Sequence, residues 1–160
     1  MATTENGKIT FSFTTSQLFN DVCLISSFMA KNLMNENGSA LDDFAITDDE
    51  RELFDECVKQ TTPNIFEAML KMTTCTEGYV NDGTNISFSV KDNYAHNKNA
   101  ITLVESTIYD CLKFGVLSEY YSMCINAPLQ SIANKKYSDA LLLLNQRLFQ
   151  LKKKSISSLY

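Results

Sequence analysis

Residues Ala100 to Ile125 read AITLVESTIYDCLKFGVLSEYYSMCI, and this stretch decides the fold. Ile101, Val104, Ile108, Cys111, Leu112, Val116, Leu117, Tyr120, Tyr121 and Met123 fall on most sides of a 3.6-residue period and leave a narrow polar edge. A helix apolar nearly all round is a central one, so this segment is expected to be the spine on which the rest packs. Gly115 inside it costs about 1 kcal/mol of helix propensity relative to alanine, and its absent side chain points to a close helix contact. Asn126-Ala127-Pro128 then breaks the chain. Tyr137, Leu141, Leu144, Leu148 and Leu151 resume the helical spacing to about Lys153, which predicts an antiparallel pair of long helices.

Upstream, Leu18, Val22, Ile25, Met29 and Leu33 predict a helix from about Ser16, with Ser16 as its cap, to Met34. Thr47-Asp48-Asp49-Glu50 is a capping-box sequence that opens the next helix, with three carboxylates at the positive end of its dipole. Leu53, Phe54, Cys57 and Val58, then Ile65, Phe66, Met69, Leu70 and Met72, form its inward stripe on either side of Pro63. Proline lacks the amide proton and crowds the preceding turn, so a kink or a pair of helices is expected there. Ile9 to Phe13 and Ile86 to Val90 alternate apolar and small polar residues, as half-buried strands do. Asp82-Gly83 suits a hairpin turn, so Tyr79 to Val90 is read as a hairpin arm beside the helices. The expected class is therefore mainly α, a bundle of about four helices with a small β-hairpin arm. Residues 1–8 are read as a flexible N-terminus, 9–153 as one domain and 154–160 as a tail.

A length of 160 residues, 44% hydrophobic and 21% charged, suits one folded core. No apolar run reaches the roughly 18–20 residues of a membrane span. The first residues lack the basic-then-apolar order of a secretion leader, so a chain that stays where it is made is expected. Five scattered cysteines with no C-x-x-C pair read as reduced thiols in a cytoplasm, acting as small hydrophobes. The net charge of −5 is unevenly spread: Asn134 to Tyr160 carries six basic residues and Asp139, while Glu36 to Glu56 carries nine acids and Arg51. Opposite patches on one small chain favour an internal pairing or a head-to-tail contact between copies.

Catalytic signatures are sparse. The one histidine, His96, has no neighbouring Cys or His at zinc spacing, and the five glycines form no phosphate-binding loop. The acids near Asp48 do not follow the order of a calcium loop. No enzyme and no cofactor is expected. A pI near 4.8 argues against sequence-specific DNA reading, although Arg147 and Lys152-Lys153-Lys154 suit non-specific proximity to DNA.

Three stretches carry a family resemblance: Ile9 to Leu33 with the Ile46-Thr47-Asp48-Asp49-Glu50 helix start; Ile86 to Tyr94; and Leu103 to Lys153, with Glu105 to Leu112, Leu117-Ser118-Glu119-Tyr120-Tyr121 and Tyr137 to Leu148. Together they resemble small virion proteins of tailed phages of gut Bacteroidota, crAss-like phages included, that occupy the neck between portal and tail. The family's Arg-rich ending is replaced here by Lys152-Lys153-Lys154. The resemblance implies a structural head-to-tail connector subunit, in a ring of twelve copies, contacting portal and other neck or tail proteins and lining a DNA passage. It implies a location in the virion neck after synthesis in the host cytoplasm. The expected contact residues are Tyr79, Val80, Ile86 and Phe88 on the arm, Asp48, Asp49 and Glu52 at the acidic helix start, and Arg147, Lys152, Lys153 and Lys154 at the basic end. The alternative is a cytoplasmic helical adaptor or regulator that grips one partner helix beside the Ile101 to Met123 spine. An enzyme built around His96 is the third reading.

Overall fold

A computed structural model describes residues 1–33, 44–92 and 98–152. The elements run β1 (Ala2–Glu5), β2 (Lys8–Thr14), α1 (Thr15–Asn32), a 3-10 turn (Asp48–Glu50), α2 (Arg51–Met72), β3 (Thr76–Asn81), β4 (Asn85–Lys91), α3 (Lys98–Met123) and α4 (Ala127–Lys152). The protein is mainly α, with four long helices and a small antiparallel sheet in the order β1-β2-β4-β3.

The two alternating stretches recognised in the sequence lie side by side. β2 and β4 pair with Ile9 opposite Val90, Phe11 opposite Phe88 and Phe13 opposite Ile86, so their apolar residues share one face. That face meets the helices, and Ile9, Phe11, Ile86 and Phe88 are buried with Leu18, Phe54 and Ile108. Asp82-Gly83 makes the β3–β4 turn as expected. The Asp82 carboxylate accepts the amides of Thr84 (2.8 Å) and Asn85 (2.7 Å), and these bonds hold its pKa below the ordinary value. The hairpin is not a free arm, however. β4 is an interior strand, because pairing with β2 satisfies its second edge and buries its apolar face.

The first residues depart from the expected flexible N-terminus. Ala2–Glu5 pairs with β2 through a turn at Asn6 (φ +50°) and Gly7 (φ +70°), the two positive angles of a type I′ hairpin. α1 also begins slightly earlier than expected. Its cap is Thr14, whose hydroxyl accepts the Gln17 amide at 3.3 Å, and Thr15 is buried with its hydroxyl donating to the Gly83 carbonyl (2.9 Å). The helix start is thereby anchored to the β3–β4 turn.

At the predicted capping box the Thr47 amide donates to the Glu50 carboxylate at 2.6 Å, while the Glu50 amide turns to the Thr47 carbonyl at 3.1 Å. The box opens the 3-10 turn, which runs on into α2. α2 passes Pro63 as one helix, which excludes the two-helix alternative. The buried residues around Pro63, Thr61, Thr62 and Ile65, hold that part of α2 in the core.

α3 and α4 form the expected antiparallel pair, each 26 residues and so about 39 Å long. Gly115 faces both α2 and α4 at close range: a Cβ there would lie 2.5 Å from Thr61 Cγ2 and 3.1 Å from Tyr137 Cε2. At one end Ser118 donates to Asn134; at the other Arg147 donates to the Leu103 carbonyl (2.8 Å) and to the Thr107 hydroxyl.

Candidate interaction surfaces

Contacts between the helices bring a set of acidic residues to one end of the helical body. Tyr120, near the end of α3, donates to the Glu50 carboxylate at 2.9 Å, and the Cys57 and Met123 sulfurs lie 4.0 Å apart. The start of α2 therefore abuts the end of α3. Asp48, Asp49, Glu52 and Glu56 are exposed there; Lys59 pairs with Glu56 (3.5 Å) and Arg51 with Asp55 (3.4 Å). Arg51 also covers the Phe19 ring at 4.5 Å, so its stem and charge are committed to the fold. Burial first, then the Glu50 bond, pushes the Tyr120 phenol above its ordinary pKa.

α4 runs from this acidic end to the opposite one, where Arg147 is tied to α3. Lys152 is its last residue, and Lys153 and Lys154 lie outside the described residues, as does His96. Of the other residues expected at interfaces, Tyr79 and Val80 are exposed on the edge strand β3, with the Tyr79 ring packed on Phe66 at 4.9 Å between centroids. Ile86 and Phe88 are corrected: both are fully buried on the inner face of β4, so they hold the core together and offer nothing to a partner. Arg147 is half-buried and already bonded within the chain, which makes it a clamp between helices.

Three apolar features have no counterpart among the expected contacts. Leu24 and Phe28 lie one turn apart on the outer side of α1 and are 58% and 60% exposed. Leu142 and Phe149, two turns apart on α4, are 60% and 59% exposed and face away from the buried Leu144 and Leu148. Heptad spacing gives this second pair away in the sequence, since positions seven apart share a face that the core-facing leucines do not occupy.

The third feature is the α3–α4 turn. Ile125 has φ +54°, with its amide bonded to the Ser122 carbonyl (3.2 Å) and the next amide, of Asn126, to the Tyr121 carbonyl (3.0 Å). This is the Schellman arrangement, whose left-handed residue is ordinarily glycine. A β-branched residue in that region carries about 1–2 kcal/mol of strain. Ile125 is also 91% exposed, and Met123 beside it is 38% exposed.

A cleft of about 420 Å³ between β2 and α3 is lined by Phe13, Gln17, Glu105, Tyr109 and Lys113. Its charges are matched internally: the Met1 amino group lies 2.8 Å from Glu105, Tyr109 donates to Asp21 at 2.6 Å, and Lys113 lies 2.7 Å from Asp110. Among the described residues no three His, Cys, Asp or Glu side chains gather into a metal-binding group. No described helix is long and apolar enough to cross a membrane.

The thiols follow burial. Cys57 and Cys111 are fully buried and desolvation pushes each up to about 12; Tyr137 is likewise pushed up to about 12. A raised folded pKa adds stability below the unfolded value and loses it as pH climbs towards the folded one. Stability is therefore expected to hold to about pH 8 and to fall steeply between about pH 9 and 12, as unfolded Cys and Tyr side chains shed protons that the folded chain retains. Thermal melts across this range check the fall. Thiol labelling at pH 8 followed by peptide mass analysis is expected to leave Cys57 and Cys111 unmodified until the chain unfolds. Rapid labelling of either in the folded protein would contradict their placement.

No family model matches the sequence, and neither similar curated proteins nor similar solved structures were found.

Proposed function

We propose that the chain is a structural subunit of the head-to-tail connector of a tailed phage, a neck ring that joins portal to tail and encloses the DNA passage. The observation that carries this reading is the cluster of exposed carboxylates at one end of the α2–α3–α4 body, set against the basic sequence that follows from the far end of α4. Exposed carboxylates collect at the pole where α2 begins and α3 ends, and α4 runs about 39 Å from that pole to Lys152, where the sequence continues Lys153-Lys154. Unlike faces on one subunit suit heterologous contacts, which close into rings when the rotation between copies allows it. The sequence resemblance supports the same assignment and supplies the expected partners, portal and neighbouring neck or tail proteins, with twelve copies in the ring. The exposed Tyr79 and Val80 on the β3 edge are further contact candidates.

Electron microscopy of the chain co-expressed with the portal and neck proteins of its own genome tests this directly. The expected result is a ring docked on the portal. Monomers under all conditions, with no density for the chain in assembled particles, would reject it.

The exposed Leu142 and Phe149 face of α4 favours one other reading, a cytoplasmic helical adaptor or regulator that takes up a single partner helix. It predicts a one-to-one complex without rings, which native mass spectrometry distinguishes.

A further inference from the structure

We infer that the Met123–Ile125 tip is a docking knob for the basic C-terminal segment, residues 152–160, of a second copy of this chain. The inference rests on the ring reading and specifies one contact of that ring.

Ile125 is the starting point. Its two Schellman hydrogen bonds use only backbone atoms, so glycine would make both of them without the strain of a β-branched residue at φ +54°. The Ile125 side chain returns nothing to its own subunit, because 91% of it faces solvent. A side chain that is costly where it sits and unused by the folded chain is explained by a contact made outside it. Met123 extends the apolar surface, and its flexible thioether adapts to a partner's shape.

The surroundings of the tip select the chemistry of its partner. Tyr120–Glu50 and Cys57–Met123 bring the start of α2 against it. That start exposes Asp48, Asp49, Glu52 and Glu56, while the bases nearby, Arg51 and Lys59, are each paired with an acid. An apolar knob beside the exposed carboxylates Asp48, Asp49 and Glu52 fits a segment that combines lysines with apolar residues. Residues 152–160 have this composition: Lys152, Lys153 and Lys154 precede Ile156, Leu159 and Tyr160.

Chain length makes the contact intermolecular. α4 places its last residue about 39 Å from its first, which adjoins the tip. Eight residues, 153–160, extend at most about 29 Å at 3.6 Å each, so the segment cannot return to the tip of its own subunit. It reaches the tip of a neighbour. Such a contact joins unlike surfaces and repeats from copy to copy.

The test compares the full chain with its Ile125→Gly variant. Each is measured by thermal melting, by sedimentation, and by fluorescence anisotropy with a labelled synthetic peptide of residues 152–160. Ile125→Gly is expected to raise Tm by about 2–4 °C by relieving strain. It is also expected to weaken both peptide binding and self-association at least tenfold. Charge reversal at Lys153 and Lys154 in the peptide is expected to weaken binding to the unaltered chain to a similar degree, more so at low salt. Peptide binding that is unchanged by Ile125→Gly overturns the docking contact. If rings still form in that variant, the connector reading survives its loss. Peptide binding that depends on Ile125, in a chain that never forms rings, keeps the contact and rejects the connector reading. A variant with lowered Tm removes the strain argument and with it the inference.

Discussion

Replacing Phe88 with alanine is expected to destabilise the protein by about 3–5 kcal/mol, the range for removing a large aromatic side chain from a core that cannot collapse around the gap. Phe88 has no accessible surface and occupies the interior strand β4, opposite Phe11 on β2 and Tyr79 on β3. Strands on both sides limit how far the backbone can close over the lost volume. A domain of this size has a total stability of about 5–15 kcal/mol, so the variant is expected to be partly unfolded at ambient temperature or to melt well below the parent. Urea denaturation followed by circular dichroism measures the change. A loss under about 1 kcal/mol would mean that the inner sheet face is not the packed core described above.

The second large effect is expected at Gly115. Valine there places a branched side chain where even a Cβ lies 2.5 Å from Thr61 Cγ2 and 3.1 Å from Tyr137 Cε2. Overpacking of this kind costs about 1–3 kcal/mol, and two flanking helices leave it little room to relax. The expected loss is at the upper end of that range. Gly115→Ala separates the causes: alanine gains about 1 kcal/mol of helix propensity and meets the same Thr61 methyl. Thr61→Ser removes that methyl alone. The pair Gly115→Ala with Thr61→Ser is therefore expected to be more stable than the two single changes predict by addition, a coupling of about 1 kcal/mol between groups in contact. Strict additivity would show that α2 and α3 do not meet at this point.

What the sequence announces here is governed by how local the cause is. The spine of α3 and the stripe of α4 are visible because periodicity alone dictates which faces are apolar, and the Asp82-Gly83 turn is visible because its chemistry lies within four residues. Asn6-Gly7 was equally local and is the strongest short hairpin signal in the chain; the apparent polarity of residues 1–8 hides it, because both sides of a short edge strand can be polar. The partnership of β2 with β4 depends on residues far apart in the chain, and no local pattern encodes it. For the same reason the hairpin looks like an arm until its second neighbour is known, and Ile86 and Phe88 look available when they are core. Proline's lost hydrogen bond at position 63 is local, but whether the helix continues depends on the burial of Thr61, Thr62 and Ile65 around it.

The interaction surfaces divide in the same way. Runs of like charge can be counted from composition, so the acidic helix start is legible as a surface feature. The Ile125 tip is not, since an isoleucine between Cys124 and Asn126 carries no mark of a left-handed backbone, and only geometry shows that it occupies a position glycine usually fills.

The register of β2 on β4 joins residues roughly eighty positions apart, with α1 and α2 between them. Closing so long a loop is entropically slow, whereas α3 and α4 meet across a turn of a few residues. Folding is thus expected to begin in the carboxyl-terminal half and to finish when the amino-terminal strands find their slot. During synthesis β2 has only the short β1 to pair with until β4 has left the ribosome, so nascent chains carry the apolar face of Ile9, Phe11 and Phe13 uncovered, a natural binding stretch for a chaperone that holds extended apolar segments.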